Sequence, residues 1–88
     1  MSDAMLVRNY ILDRLSKEDR DECERRFLFD PNFESLMLQE EQDLLDDYVS
    51  LRLGEEEAGA IRGRAEQHPE FRLRLLLADG LRRATATA

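Results

Sequence analysis

Apolar residues in this chain recur at spacings of three and four and never alternate strictly with polar ones, a pattern typical of amphipathic α-helices. The first such run contains Leu6, Val7, Tyr10, Ile11 and Leu15. Similar runs follow to the end of the chain, and none of them has the period of two that a half-buried strand requires. The pattern therefore predicts an all-α protein.

Helix boundaries are marked by capping residues and prolines. Ser16 is a good N-cap, with Asp19 three residues later in the manner of a capping box. Gly54 occupies a similar position, and the three glutamates after it suit the positive end of a helix dipole. Pro31 and Pro69 each suit the first turn of a helix and disfavour helix in the residue before them.

The chain resembles itself at an offset of 38 residues. Between residues 6 and 38, nine of the 33 aligned positions are identical to the position 38 residues later. A match of apolar, capping and proline positions indicates a duplicated structural unit. We therefore predict two tandem three-helix repeats, residues 6–43 and 44–81. The identical pairs are Leu6/Leu44, Tyr10/Tyr48, Arg14/Arg52, Leu15/Leu53, Glu18/Glu56, Arg26/Arg64, Pro31/Pro69, Phe33/Phe71 and Leu38/Leu76.

No glycine or proline separates the last helix of the first repeat from the first helix of the second. We therefore predict one long central helix, residues 32–52, which both repeats share, and a small bundle of about five helices. The acidic stretch 39–43 interrupts its apolar stripe, which would need an apolar residue near position 40 or 41 and has glutamate there. Because one repeat falls below the about 40 residues at which a lone core usually fails, we expect a single domain over residues 1–84. Residues 85–88 are predicted to be a disordered tail.

Composition restricts the classes of partner and location. The 88 residues carry a net charge of −7, which argues against nucleic-acid binding because that requires clustered Lys and Arg. No apolar run approaches the about 20 residues of a membrane helix, and the N-terminus lacks the features of a signal peptide. A single Cys leaves a reducing cytoplasm as the default location. The two halves differ in charge, since residues 1–44 hold twelve acids and six bases and residues 45–88 hold eight and seven.

The residues capable of catalysis or metal binding have simpler structural interpretations. Cys23 lies on the apolar stripe and aligns with Ile61, so we expect a core residue in preference to a nucleophile or metal ligand. His68 precedes a proline, as does its counterpart Asp30, so a turn or cap role is favoured over a catalytic base or zinc ligand. The acidic clusters at 17–22 and 54–57 are typical of solvated helix faces. We predict no enzyme, no cofactor and no metal.

The segment "NYILDRLSKEDRDECERRFLFDPNFESLM" at residues 9–37 resembles the cytoplasmic N-terminal domain of bacterial anti-sigma factors. Such domains carry a "Y-L-x-G-x-L-S-x-E-E" step followed by a helix that ends in "D-P". That step is found here at Tyr10–Asp19 and again at Tyr48–Glu57. The resemblance therefore covers nearly the whole chain.

The resemblance implies a protein that binds an extracytoplasmic-function sigma factor and sequesters it from RNA polymerase. The His-x-x-x-Cys-x-x-Cys motif that binds zinc in many relatives is absent, so the chain resembles the zinc-free members of the family. Many relatives continue into a transmembrane helix, so this chain is either a soluble variant or the cytoplasmic part of a longer, tethered protein. The alternative from composition alone is a helical adaptor or dimerisation module with an unrelated protein partner.

Differences between the two repeats suggest where the partner binds. Ser35 and Gln39 of the first repeat become Leu73 and Leu77 of the second, and further leucines surround them. These leucines either form the partner site, pack within their own repeat or make a homodimer. The acidic face of the first repeat is the other candidate surface. The predicted partner-binding residues are Leu73, Leu77, Leu81, Asp19 and Glu22.

Overall fold

The computed structural model describes residues 2–87, except for the side chains of residue 82 and residues 85–87. This part of the chain forms five α-helices and contains no strand, which confirms the predicted all-α bundle. The helices are α1 (Asp3–Ile11), α2 (Lys17–Phe29), α3 (Pro31–Val49), α4 (Glu55–Gln67) and α5 (Pro69–Thr87).

The helix starts follow from the capping residues. The Ser2 hydroxyl accepts a hydrogen bond from the Met5 amide at 3.2 Å, and the Ser16 hydroxyl accepts one from the Asp19 amide at 3.2 Å. Each bond satisfies an amide that the first turn of a helix leaves unpaired. Gly54 precedes α4 in the same extended conformation without a side-chain bond. The predicted caps at Ser16 and Gly54 are confirmed.

The two prolines act at equivalent junctions. Asp30 ends α2 with φ −128° and ψ 104°, and His68 ends α4 with φ −129° and ψ 99°. These extended conformations are those that a following proline favours. Pro31 and Pro69 then open α3 and α5, as predicted.

Helices α1 and α3 end in the same type of turn. After α1, the amides of Asp13 and Arg14 donate to the carbonyls of Tyr10 and Asn9 at 3.2 and 2.9 Å. This pair of bonds defines a Schellman motif, whose C′ residue adopts a left-handed conformation. Asp13 accordingly has φ 58°.

After α3, the amides of Leu51 and Arg52 donate to the carbonyls of Tyr48 and Asp47 at 3.1 and 2.8 Å, and Leu51 has φ 59°. This second Schellman turn ends α3 at Val49. The predicted central helix over 32–52 is thus present but ends earlier. Glycine or asparagine usually signals such a turn, and neither is present at this one.

The chain divides into two compact units, Met1–Leu44 and Leu45–Ala88. This boundary lies one residue from the predicted junction of the repeats. The single domain over 1–84 stays a prediction, and the predicted tail 85–88 falls on residues whose side chains lie outside the described part. The core of the first unit contains Val7, Ile11, Leu12, Cys23, Phe33 and Leu44, and that of the second contains Leu45, Ile61, Ala65 and Phe71.

Equivalent elements of the two halves have equal lengths. Helices α2 and α4 have 13 residues each, and α3 and α5 have 19 each, with every start offset by 38 residues. The left-handed residues Asp13 and Leu51 have the same offset. These equalities agree with the predicted duplication, which stays our interpretation of the sequence.

One expectation for α3 needs correction. We expected residues 39–43 to be an acidic interruption of the apolar stripe, but Glu41 is only 3% exposed. Its helical position continues the stripe that buries Leu44 and Leu45, so the side chain lies inward despite its charge. A carboxylate in this position requires a partner, because burial of an unpaired charge is very costly.

Candidate partner-binding surfaces

Helix α5 exposes four leucines on one face. Their positions follow the spacing of three and four that places residues on one side of a helix. Each side chain is between 58% and 70% exposed, although leucine is usually buried. We call this surface the α5 leucine face; it consists of Leu73, Leu76, Leu77 and Leu81.

The opposite side of α5 forms the core of the second unit. Phe71 is 1% exposed there, and Leu75 is partly buried. The inward position of Phe71 is supported by Arg64, whose guanidinium carbon lies 5.3 Å from the centre of the Phe71 ring. Helix α5 thus has apolar residues on two sides. Only the side that carries Phe71 is covered within the second unit.

Arginines border the α5 leucine face. Arg72, Arg74 and Arg83 are exposed on the same helix, and Arg83 forms an ion pair with Asp79 at 2.9 Å. Over its whole length α5 contains four arginines against two acidic residues, Glu70 and Asp79. The face is therefore an apolar surface whose border is positive on balance, with the exposed Glu70 three residues before Leu73.

The two predicted acidic residues lie on α2 in the first unit, whereas the leucines lie in the second. Asp19 is exposed in the first turn, where its amide is capped by Ser16. Glu22 is also exposed and forms an ion pair with Arg25 at 3.0 Å. Such an exposed ion pair contributes little to stability. The carboxylates of Asp19 and Glu22 are both accessible to a partner because both residues are exposed.

Helix α2 also carries an apolar surface that the sequence analysis missed. Leu28 and Phe29 at its C-terminal end are each 80% exposed. The only sequence signal is that the corresponding residues of the second half are polar, Glu66 and Gln67. We name these two residues the Leu28–Phe29 pair.

An ion pair and a cation–π contact join α2 to its neighbours in the first unit. Arg26 donates two hydrogen bonds to the Asp3 carboxylate, each of 2.9 Å, and its guanidinium carbon lies 4.2 Å from the centre of the Phe33 ring. The bond to Arg26 lowers the pKa of Asp3. Both contacts lie beside the Leu28–Phe29 pair in sequence and fix the orientation of α2.

An aromatic cluster supports the same helix. The Phe27 ring contacts the rings of Tyr10 and Phe33, with centroid distances of 5.4 and 4.9 Å. Phe27 thus points into the first unit, while the two residues that follow it point outward. The inward position of Phe27 leaves Leu28 and Phe29 on the solvent side of α2.

The second unit has a shallow groove beside the end of α3. Its volume is about 250 Å³, and Leu51 at its edge is 89% exposed. The lining combines apolar side chains with one residue of each charge, so it has no clear preference for a charged ligand. It is lined by Tyr48, Val49, Leu51, Leu53, Ala58, Arg62 and Asp79.

Cys23 and His68 occupy the structural positions that we favoured. Cys23 is fully buried, and desolvation raises the pKa of its thiol to about 11, with Arg26 opposing and Glu24 adding to the effect. At neutral pH this thiol is protonated and a poor nucleophile. His68 is exposed at the end of α4, where its amide donates to the Arg64 carbonyl at 2.9 Å.

Two features are absent from the described residues. Among them, no three His, Cys, Asp or Glu side chains are grouped as a metal site would require. None of the helices in this part of the chain combines the length and the apolar character needed to span a membrane.

Comparison of the chain with protein-family models found no match, and comparisons with curated proteins and with solved structures found none either. The interpretation of its function therefore depends on the surfaces described above and on the sequence patterns.

Proposed function

We propose that this chain is a protein-binding regulator of the anti-sigma type, which binds an extracytoplasmic-function sigma factor and keeps it from RNA polymerase. The observation that carries the proposal is the α5 leucine face, four exposed leucines on a helix whose other side already fills the core. A contiguous apolar surface of this kind is typical of a protein-binding site. The choice of sigma factor as partner comes from the resemblance of Tyr10–Asp19 and Tyr48–Glu57.

The charge distribution is compatible with such a partner. The first unit, residues 1–44, holds twelve acids against six bases. Sigma factors present basic surfaces to DNA, and an acidic surface with exposed carboxylates such as Asp19 and Glu22 complements them. The α5 leucine face would then fill an apolar groove of the partner in the helix-in-groove mode.

The second candidate function is a helical adaptor or dimerisation module in the cytoplasm with an unrelated partner. It is favoured by the same leucines, because an apolar helix face does not specify its partner. The two functions differ in the identity of the bound protein and in the effect on transcription.

The test uses the full chain and an extracytoplasmic-function sigma factor from the same organism. We expect a stable complex by titration calorimetry, and repression of transcription by RNA polymerase that carries this sigma factor. Leu77→Glu should weaken binding by at least about tenfold, because it places a charge in the apolar contact. Leu38→Glu is a matched control, since Leu38 is 57% exposed and Leu77 is 59% exposed.

Each outcome leads to a defined conclusion when far-UV circular dichroism shows that the variants remain folded. Loss of binding with Leu77→Glu alone supports the proposed site. Unchanged binding with that variant, combined with loss upon Asp19→Lys and Glu22→Lys, moves the interface to the first unit. No complex with the wild-type chain overturns the assignment of a sigma factor as partner.

A further inference from the structure

The groove beside the end of α3 is open because the second half of the chain has a small residue where the first half has a long one. Ala58 of α4 lines the groove, and the residue 38 positions earlier is Arg20. Arg20 forms an ion pair with Asp13, and its guanidinium carbon lies 6.0 Å from the centre of the Tyr10 ring. Tyr48 supplies the equivalent ring in the second unit, but an alanine side chain is too short to cover it. The place that Arg20 fills in the first unit is therefore free in the second.

Other residues around this place also differ between the two halves. Asp13 of the first half corresponds to Leu51 of the second. Glu24, which accepts a hydrogen bond from the Tyr10 hydroxyl at 3.3 Å, corresponds to Arg62. The second unit thus lacks both members of the first unit's ion pair, so neither charge is left behind without the other. An internal cation on a tyrosine ring has been replaced by a groove with apolar walls.

Two lining residues of the groove carry opposite charges. Arg62 is exposed, and within the described part of the chain it forms no ion pair. Glu55 and Glu66 lie on the same side of α4 by their spacing, but neither of them lines the groove. Asp79 forms an ion pair of 2.9 Å with Arg83, whose side chain is 79% exposed. Since such an exposed pair contributes little, the Asp79 carboxylate is able to exchange Arg83 for another cation.

Leu51 provides a second, independent observation at the rim of this groove. Its side chain is 89% exposed, and its backbone has φ 59°. A bulky residue rarely adopts this conformation, and unfavourable backbone conformations are concentrated at functional sites. The aspartate of the first half shows that the turn itself does not require leucine. Leucine at this position adds apolar surface that a group bound in the groove would cover.

We propose that the groove binds a free apolar α-amino acid, such as leucine or phenylalanine, in its zwitterionic form. The carboxylate of the ligand pairs with Arg62, and its ammonium group pairs with Asp79. The side chain of the ligand packs against Tyr48, Leu53 and Leu51. A zwitterion matches a site with one group of each charge, whereas an ion of single charge matches only one of them.

The size of the groove suits a ligand of this class. Its volume of about 250 Å³ lies just below the range of about 300–1,000 Å³ that is typical of small-molecule sites. A ligand of amino-acid size is therefore appropriate, and a nucleotide or a larger cofactor is too big. Because the groove is shallow, part of the ligand remains in contact with water. We expect a dissociation constant on the order of 1 mM.

The inference does not depend on the proposed function. All the residues that line the groove belong to the second unit, and none of them is part of the α5 leucine face. The experiment uses amino acids and no sigma factor. Failure to bind an amino acid would therefore leave the proposed function unaffected, and the absence of a sigma-factor complex would leave the groove unaffected.

The test titrates the full chain with L-phenylalanine and L-leucine and records the amide signals by nuclear magnetic resonance. We expect saturable shifts at the amides near Leu51 and Ala58. Three control ligands each lack one feature: glycine lacks the apolar side chain, 3-phenylpropanoate lacks the ammonium group and 2-phenylethylamine lacks the carboxylate. Each of these should bind at least about tenfold more weakly than L-phenylalanine.

Variants of the lining residues test the site itself. Ala58→Arg introduces the residue of the first half and should abolish binding, because its side chain fills the groove. Arg62→Gln and Asp79→Asn each remove one charge and should raise the dissociation constant about tenfold. Arg25→Gln is the control, since Arg25 is an exposed arginine of the first unit and should not affect binding. Circular dichroism checks that each variant is folded, and the two charge variants test the site even where Ala58→Arg fails to fold.

Three results would overturn the inference. The first is the absence of saturable shifts with both amino acids at concentrations about tenfold above the expected dissociation constant. The second is unchanged binding by folded Arg62→Gln and Asp79→Asn variants. The third is binding of N-acetyl-L-phenylalanine amide, which carries neither charge, as tightly as L-phenylalanine. That result would assign the groove to an apolar side chain of a partner protein instead of a free amino acid.

Discussion

Leu51 combines a left-handed backbone, with φ 59°, and a side chain that is 89% exposed. A left-handed conformation costs a residue with a Cβ atom about 1 kcal/mol, and a bulky residue rarely adopts it. In the first half, the equivalent residue is Asp13, whose carboxylate forms an ion pair with Arg20 and whose residue type tolerates this conformation. The fold thus accepts an unfavourable residue at one of two equivalent turns.

We expect Leu51→Gly and Leu51→Asn to raise the free energy of unfolding, by about 1 kcal/mol for glycine and less for asparagine, because both residues suit the C′ position. Leu51→Ala serves as the control, since it removes the apolar side chain but keeps the unfavourable backbone. Urea denaturation followed by circular dichroism measures the differences. An equal gain in the alanine variant would assign the effect to the exposed side chain.

Cys23 gives the stability of the first unit a dependence on alkaline pH. Burial raises the pKa of its thiol to about 11, whereas an unfolded chain has the ordinary value of about 8.5. The folded state therefore holds this proton more tightly. The contribution of the protonated Cys23 thiol to the free energy of unfolding is complete below about pH 8.5 and is lost as pH rises through about 11.

Cys23→Ala should therefore show a smaller loss of stability between about pH 8.5 and about pH 11 than the wild type. The alanine variant is less stable at neutral pH because a buried group is removed. The quantity to compare is therefore the slope of the free energy of unfolding against pH in each protein. Denaturant titrations at a series of pH values provide the measurement. Parallel slopes would show that the thiol does not titrate in this range.

At the scale of the helix, α5 offers a direct comparison of its two apolar sides. Phe71→Ala should lower the free energy of unfolding by about 3–5 kcal/mol, because the ring is buried. Leu77→Ala should change it by no more than about 0.5 kcal/mol, because the side chain is 59% exposed. Thermal and urea unfolding test both, and a large loss in the Leu77 variant would place that residue in a core.

The helix boundaries were largely predictable because they have chemical signals. Ser16 supplies a side-chain acceptor for an unpaired amide, and Pro31 and Pro69 limit the residues before them. The end of α3 was placed too late because its left-handed residue is Leu51, which carries no such signal. The burial of Glu41 was missed because the apolar pattern assigns charged residues to the surface.

The exposed apolar surfaces could be anticipated only in part, and the partner-binding role of the predicted residues stays a prediction. Leu77 was identified because the first half has Gln39 at the equivalent position. The same comparison reveals the Leu28–Phe29 pair, but apolar residues on an amphipathic helix are ordinarily placed in the core. The exposure of Leu28 and Phe29 and the inward position of Phe27 show in the structure that the pair points outward.

At the scale of the whole molecule, α3 contributes residues to both compact units. We predict that cutting the chain at Glu41 gives two fragments without cooperative thermal transitions. The cut separates the first unit from Leu44 and removes the start of the helix that carries Leu45, and both of these residues are buried. Each fragment would also be close to the about 40 residues below which a core seldom suffices.

Calorimetry of the two fragments, alone and mixed, tests this prediction, with the intact chain as the control. A sharp transition in the fragment 1–41 would show that the first unit folds independently. Recovery of the transition on mixing would show that the fragments retain the information for the fold but require each other.

The continuity of α3 also affects how long individual amide hydrogens remain protected from solvent. Leu44 is the last residue of the first unit and Leu45 is the first of the second, and both side chains are almost fully buried. An amide within a helix exchanges with deuterium only when its own turn opens. Opening this turn exposes core side chains of both units, so hydrogen exchange at these two residues should be among the slowest in the chain.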